Sequence, residues 1–307
     1  MITILMATYN GAQFLAEQID SLLRQTVQDF RIVIRDDCST DETWTILQAY
    51  QARWPEKIRI LKSESNSGSA KYNFMELALH YQDDYIMFCD QDDVWNDDKI
   101  AISLQAIQDA EVEYGKDTPL LAHTDLTVVN HDLEMIYPSL VYIAKIPVYR
   151  EDYQAITIRN TVHGCTAIYN RALAEVLRNA PFCMMHDWWV ALTAASFGRI
   201  VYCPEATIQY RQHGNNTFGA ANARSILFDV SKVLRAKKGR EILFLECKQA
   251  NSFLEVYNKE LSTEQRLFFS EFAALPQLDK FKRWQEFNRL KVIKSSWPRR
   301  LAQLFYI

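Results

Sequence analysis

The feature that most constrains this 307-residue chain is the regular alternation, through its first third, of short apolar runs with helix-periodic segments. Ile2–Ala7 is an apolar run, and Phe14–Leu23 follows with apolar residues at 14, 15, 19, 22 and 23, a helical spacing. Phe30–Arg35 is the next strand, and a helix is expected from about Glu42 to Trp54, capped by Asp41 or Thr40. Ile58–Leu61, Tyr72–Tyr81 and Tyr85–Phe88 then read as strand, helix and strand. This rhythm predicts an α/β fold with a mostly parallel sheet and helices on both faces. Such sheets gather their ligands at the carboxyl ends of the strands.

Four clusters fall at those ends. Ala7-Thr8-Tyr9-Asn10-Gly11 offers a flat ring on which a base can stack and a glycine that permits close backbone approach. In Asp36-Asp37-Cys38-Ser39, a carboxylate can accept a hydrogen bond from a pyrimidine N3–H. In Asp90-Gln91-Asp92-Asp93-Val94-Trp95, Asp90 and Asp92 are two apart on extended backbone, so they can share a hard cation or a ribose hydroxyl. A solvated acidic turn is the competing reading.

The fourth cluster pairs His186-Asp187-Trp188-Trp189 with Tyr210-Arg211-Gln212-His213-Gly214. Asp187 opens a helix expected over Asp187–Ser196, and partial desolvation beside two tryptophans would raise its pKa toward that of a useful general base. The plainer role is to stabilise the helix dipole. His213 reads as a metal or phosphate ligand, or as a structural histidine. Arg211 reads as a bidentate phosphate grip, or as half of a salt bridge. The remaining strands are expected at Leu120–Val129, Thr161–Tyr169, Ile200–Tyr202 and Ala206–Tyr210.

Together these motifs resemble, in order and spacing, the inverting GT-A glycosyltransferases of family 2. The acidic motif with His186–Trp189 and Tyr210–Gly214 looks most like bacterial rhamnosyltransferases of cell-wall polysaccharide synthesis. The resemblance spans roughly residues 1–218 and implies a role for each matching position. Thr8 and Tyr9 would hold the nucleotide, with Tyr9 stacked on the base and Asp37, or failing that Asp36, hydrogen-bonded to it. Gly68 and Lys71 would lie near the nucleotide, and Asp90 would contact the ribose or a metal-bound water. Asp92 would ligate Mn2+ or Mg2+, with His213 completing the set and Arg211 nearby. Asp187 would deprotonate the acceptor hydroxyl, with Trp188 and Trp189 on the acceptor side. The implied donor is dTDP-rhamnose, with a UDP-hexose as alternative, and the implied acceptor is a saccharide carried on a polyprenyl lipid. A non-catalytic nucleotide-sugar-binding subunit is the competing function. The chain departs from the usual family form at Cys38, where glycine is common, and across Asn66–Asn73.

The bulk numbers place these motifs in a compartment. Six cysteines form no CxxC pair, which fits buried thiols in a reducing environment and argues against structural zinc. Strand-like residues begin at Ile2 without a leader, and no run reaches the roughly 20 apolar residues of a membrane span. The expectation is a cytoplasmic protein, peripheral on the inner face of the cell membrane.

Residues 221–307 hold 17 Lys+Arg against 9 Asp+Glu, whereas the net charge of the whole is −4. The expected division is a catalytic domain over 1–220 and a helical basic region over 221–307. In that region positions 226, 227, 230, 233 and 234, then 243, 247, 250, 254, 257 and 261, follow helix faces that pack on the body or form a homodimer seam. Residues 280–307 carry eight Lys/Arg against Glu286, interleaved with Trp284, Phe287, Trp297, Phe305 and Tyr306. That composition suits an anionic membrane surface. Nucleic acid, the other usual partner of a basic patch, is disfavoured by the acidic body.

Overall fold

The computed structural model describes residues 1–212, 232–290 and 292. The βα rhythm folds as β1 (Ile2–Thr8), α1 (Leu15–Leu23), β2 (Phe30–Asp36), α2 (Thr43–Arg53), β3 (Ile58–Lys62), α3 (Ala70–His80) and β4 (Tyr85–Cys89). Strands β3, β2, β1 and β4 lie side by side, all parallel. Their carboxyl ends therefore open on one edge. Cap geometry departs slightly from expectation. Glu42 is the N-cap of α2 and makes no side-chain cap bond, while Asp41 accepts from the N–H groups of Thr43 and Ala12.

The sheet continues through β8 (Ala167–Asn170), β6 (Leu120–Val129), β9 (Arg199–Arg211) and β5 (Val94–Trp95). Strand β8 runs antiparallel to both β4 and β6, so β6 and β9 regain the direction of β4. Two expectations change here. The Thr161–Tyr169 strand shrinks to β8 because Gly164–Thr166 forms a 3-10 turn ahead of it. The two short strands at 200–202 and 206–210 are one strand, β9. Its register against β6 jumps from Cys203 to Ala206, leaving Pro204 unpaired, as a residue without an N–H donor requires.

Side chains along β1 alternate between the faces, as strand geometry dictates. Ile4 and Met6 join Leu15, Ile19 and Leu22 of α1 and Ile100 of α4 (Lys99–Tyr114) in one core. Leu5 and Ala7 join Phe74 of α3 and Trp189 of α8 (His186–Phe197) in the other. The second core runs on without a break into the C-terminal helices α9 (Lys232–Tyr257) and α10 (Thr263–Ala274).

This continuity selects between the two readings of the C-terminal seam and corrects the placement of Trp189. Leu243, Cys247, Ala250, Tyr257 and Leu261 are buried against the chain's own body, so the seam considered for a homodimer is already occupied. The set at 226–234 lies outside the described side chains. Trp189 is fully buried, its ring 5.2 Å from that of Phe253, and its indole N–H donates to the Arg178 carbonyl at 2.9 Å. It belongs to the packing of α8 on α9 and not to an acceptor surface. Last comes α11 (Lys280–Arg289), which turns Phe287 inward and leaves Phe281 and Trp284 exposed.

Replacing Trp189 by Ala should cost about 3–5 kcal/mol, because a rigid, close-packed core cannot collapse around so large a void. Urea denaturation measures it. A loss below about 1 kcal/mol would contradict this packing role.

Candidate active site

The carboxyl ends of β1, β2 and β4, the Gly164 turn and the first turn of α8 together enclose a cavity of about 730 Å3. Thr8, Tyr9, Asp37, Gly68, Asp90, Asp92, Asp187 and Trp188, all expected from the sequence, line it. Four expected residues do not lie in the described wall, and His213 lies outside the described residues.

At one end the Tyr9 ring is half exposed and free to receive a flat partner. Its peptide is held on both sides by one amide. The Tyr9 N–H donates to Gln91 Oε1 at 2.9 Å, and Gln91 Nε2 donates to the Tyr9 carbonyl at 3.1 Å. Gly11 makes room for this clamp, since a Cβ there would run into the Gln91 amide. Gln91 had no assigned role in the sequence, although it lies inside the acidic motif.

The paired aspartates after β2 separate cleanly. Asp36 is buried and accepts from Thr8 Oγ1 at 3.0 Å and from the Ser39 hydroxyl and N–H, so it builds the loop and does not reach a base. Asp37 reaches the cavity and accepts from the Ser67 N–H at 2.9 Å and hydroxyl at 2.7 Å. Cys38 sits at φ 63°, which explains why glycine suits that position: a side chain in the left-handed region costs roughly 1–2 kcal/mol. Gly68, at φ 77°, occupies the same region without that penalty. Lys71 turns away from the cavity: its Nζ donates to the Cys183 carbonyl at 2.8 Å and lies over the Tyr72 and Phe182 rings.

After β4 the acidic motif folds so that ligand atoms of Asp90, Asp93 and Cys165 lie within 4.8 Å of one another, with Asp92 on the cavity wall. Burial and the charge of Asp92 push the Asp90 carboxyl up to about 7, and Asp93 is raised well above the carboxylate range for the same reasons, with Asp90 adding to it. Asp93 is fully buried, and its Oδ2 has no N–H or O–H donor among the described residues. Lys99, itself buried, feels the Asp93 charge; its Nζ lies 4.6 Å from the Trp95 ring centroid, and burial draws its pKa down to about 8. Three crowded carboxylates with an unmet buried oxygen fit a hard divalent cation, whose ligands are oxygens. The Cys165 thiol is pushed up by burial and is the wrong donor for Mg2+.

Arg211 is not a phosphate grip. It is 2% exposed, and its backbone N–H donates to Asp93 Oδ1 at 3.1 Å. Its guanidinium donates to the carbonyls of Asp92 and His131 and, at 2.5 Å, to the Glu17 carboxylate, and it stacks on Phe14. It ties the acidic loop to α1 and to the turn after β6.

Asp187 occupies the first turn of α8, where Oδ2 accepts from the Gly164 N–H at 3.0 Å and Oδ1 from the Trp188 N–H at 2.6 Å. Burial raises its pKa to about 6 against the opposing pull of these bonds and one from Asn160. Trp188 borders the cavity with its indole N–H donated to the Ile156 carbonyl. His186, unassigned from the sequence, lines the same wall.

The sequence model of Glycosyl transferase family 2 matches residues 3–178. Among curated proteins, the chain is 31% identical to the dTDP-rhamnosyl transferase RfbG of Shigella flexneri over 230 residues, which is 70% of this chain and 74% of RfbG. Other relatives, at 27% identity, are longer, and the match spans 61% of their length. Among solved structures, S. aureus TarS 1-349 in complex with UDP-GlcNAc superposes with a TM-score of 0.56 at 19% identity, covering 98% of this chain and 78% of TarS. The mannosyltransferase PcManGT of Pyrobaculum calidifontis, in complex with GDP-Man and Mn2+, gives a TM-score of 0.53 at 16% identity, covering 95% and 85%. The fold is of the GT-A type.

Two outcomes follow from this geometry. Gln91→Ala should weaken nucleoside diphosphate binding by about threefold to tenfold, the range for losing hydrogen bonds that fix a contact; calorimetric titration checks it. Millimolar MnCl2 should raise the melting temperature relative to EDTA by a few degrees, because a ligand bound only by the folded state stabilises it. Asp90→Asn should abolish that rise.

Proposed function

This chain belongs to glycosyl transferase family 2, and on that premise we propose that it moves L-rhamnose from dTDP-β-L-rhamnose, with inversion, onto a saccharide acceptor carried on a polyprenyl lipid. The observation that carries the reading is the position of Asp187. It is a carboxylate raised to about 6, fixed by backbone donors, in the same cavity as Tyr9, Asp37 and the acidic motif. The donor assignment draws on the resemblance to RfbG. Residues 1–220 would form the catalytic part, and 221–307 the helical region that backs it.

The residues divide the work as follows. Tyr9 and Asp37 bind the nucleotide, with Thr8 and Gly68 bordering it. Asp90, Asp92 and Asp93 would hold Mn2+ or Mg2+, which when bound neutralises the charge that develops on the leaving diphosphate. Asp187 orients the acceptor hydroxyl and takes its proton as the oxygen bonds to the anomeric carbon. The bond from that carbon to the diphosphate breaks in the same displacement, so a β-linked donor yields an α-linked product. An alcohol is too weak an acid to attack without such a base. Trp188, on the cavity wall, would border the acceptor.

A UDP-hexose donor is the second reading within the class, favoured by the fold shared with TarS. A non-catalytic nucleotide-sugar subunit would have no use for a base fixed as Asp187 is. At the membrane, exposed Phe281 and Trp284 beside Lys280 and Lys282 support peripheral contact with anionic lipid. Among the described residues no helix is long and apolar enough to span a membrane.

Asp187→Asn should lower kcat by at least about 100-fold while leaving donor binding intact, since general-base removal typically costs 10²–10⁴. Wild-type kcat/KM should fall as pH drops through about 6, where Asp187 gains a proton and loses its ability to accept one. That acidic limb should be missing from the residual activity of Asp187→Asn. Release of nucleoside diphosphate across a panel of dTDP- and UDP-sugars identifies the donor, and preference for a UDP-hexose would overturn the rhamnose assignment. Flotation with phosphatidylglycerol vesicles, with and without residues 280–307, tests the membrane contact; absence of binding by the full chain would refute it.

A further inference from the structure

We propose that His186 is a specificity-determining residue, exchanging hydrogen bonds with one hydroxyl of the donor sugar held beside Asp187. His186 lines the cavity yet is only 4% exposed, and neither of its ring nitrogens has a hydrogen-bond partner among the described residues. A neutral imidazole carries one N–H donor and one acceptor. Buried polar groups are nearly always paired in native proteins, so a pair left unmet at a cavity wall marks a place where a ligand completes the set.

The surroundings define that ligand. Phe74 stacks on the ring at 4.1 Å, and Phe88 meets it edge-on at 4.8 Å, so no polar group approaches from those directions. On the side of Nε2 stands Gly164: a Cβ there would lie 2.9 Å from Nε2 and 3.3 Å from the Asp187 Cβ. Gly164, lacking a Cβ, sets only backbone against Nε2, and its own N–H holds Asp187 Oδ2 at 3.0 Å. Base and imidazole share one glycine wall. Burial keeps the ring neutral, with a pKa drawn down to about 3. A neutral ring between two phenylalanines offers a phosphate one uncharged N–H and leaves its acceptor nitrogen unmet. A sugar hydroxyl, which both gives and accepts, matches it. The donor sugar is the partner because displacement requires it beside Asp187, and His186 shares Gly164 with that residue.

The proposal rests on the donor-binding role of this cavity, and wild-type binding tests that separately. Calorimetry would compare dTDP-β-L-rhamnose with dTDP. If wild type prefers another nucleotide sugar in the donor panel, the rhamnose reading fails, and that sugar with its own diphosphate replaces the pair. If wild type gains nothing from any sugar over its diphosphate, the His186 proposal falls as well. His186→Phe should lose about tenfold in nucleotide-sugar affinity and stay within about twofold for the diphosphate, as expected for one lost polar contact. His186→Gln, which keeps a donor and an acceptor, should recover part of the loss. Gly164→Ala, which crowds Nε2, should mimic His186→Phe. Equal nucleotide-sugar affinity in His186→Phe and wild type would overturn the proposal. Should the variants fail to fold, the side-chain 15N resonances of His186 in wild type decide: they should move with nucleotide sugar and not with diphosphate, and no movement with the sugar overturns it.

Discussion

The site depends on holding carboxylates closer together than their mutual repulsion and burial favour. Asp90, Asp92 and Asp93 follow one another at the end of β4, and the raised pKa values of Asp90 and Asp93 express the cost of that crowding. The loop does not spread because Arg211 holds it from behind, through its own N–H to Asp93 and its guanidinium to the Asp92 carbonyl. Arg211 is in turn anchored on Glu17 of α1, so a charge from the first helix stabilises a loop formed much later in the chain. Electrostatic strain of this kind is tolerated where a cation can relieve it, and carboxylate oxygens in such a cluster are ligands suited to a hard ion.

Helix α8 joins this site to the second core. Its first turn presents His186 and Asp187 to the cavity, while Trp189, two residues further, packs on Phe253 and Tyr257 of α9. The C-terminal helices are therefore the support of the wall that carries the candidate base. Gln265 of α10 strengthens this by donating to the Ser196 carbonyl on α8. Because a core packed at crystal-like density transmits displacement, the position of Asp187 is coupled to residues far away in sequence.

Much of this was legible in the residues. The parallel half of the sheet was readable because β-branched and apolar runs alternate with helix-periodic segments, and each signal is local. Tyr9, Asp37, Asp90 and Asp92 share one cavity because strand ends of a parallel sheet converge, and Asp187 reaches the same cavity from the first turn of α8. The misreadings share a different cause. Arg211, Lys71 and Trp189 have side chains suited to ligands, but their partners lie across the fold: Glu17 for Arg211, Cys183 for Lys71, Phe253 for Trp189. Asp36 and Asp37 are chemically identical neighbours, and only the placement of Ser39 and Ser67 separates loop builder from cavity wall.

Pattern and composition thus specify which elements form and which edge of the sheet carries the chemistry, because strand and helix periodicities and strand-end geometry are properties of neighbouring residues. The tertiary structure decides which polar groups remain available to a ligand. Availability depends on whether a fold-distant partner has already been supplied: Arg211 has its partners, while the His186 ring nitrogens have no hydrogen-bond partner among the described residues. The composition of the His186–Trp189 segment cannot reveal that difference, because burial and pairing are set by the contacts that close around each side chain.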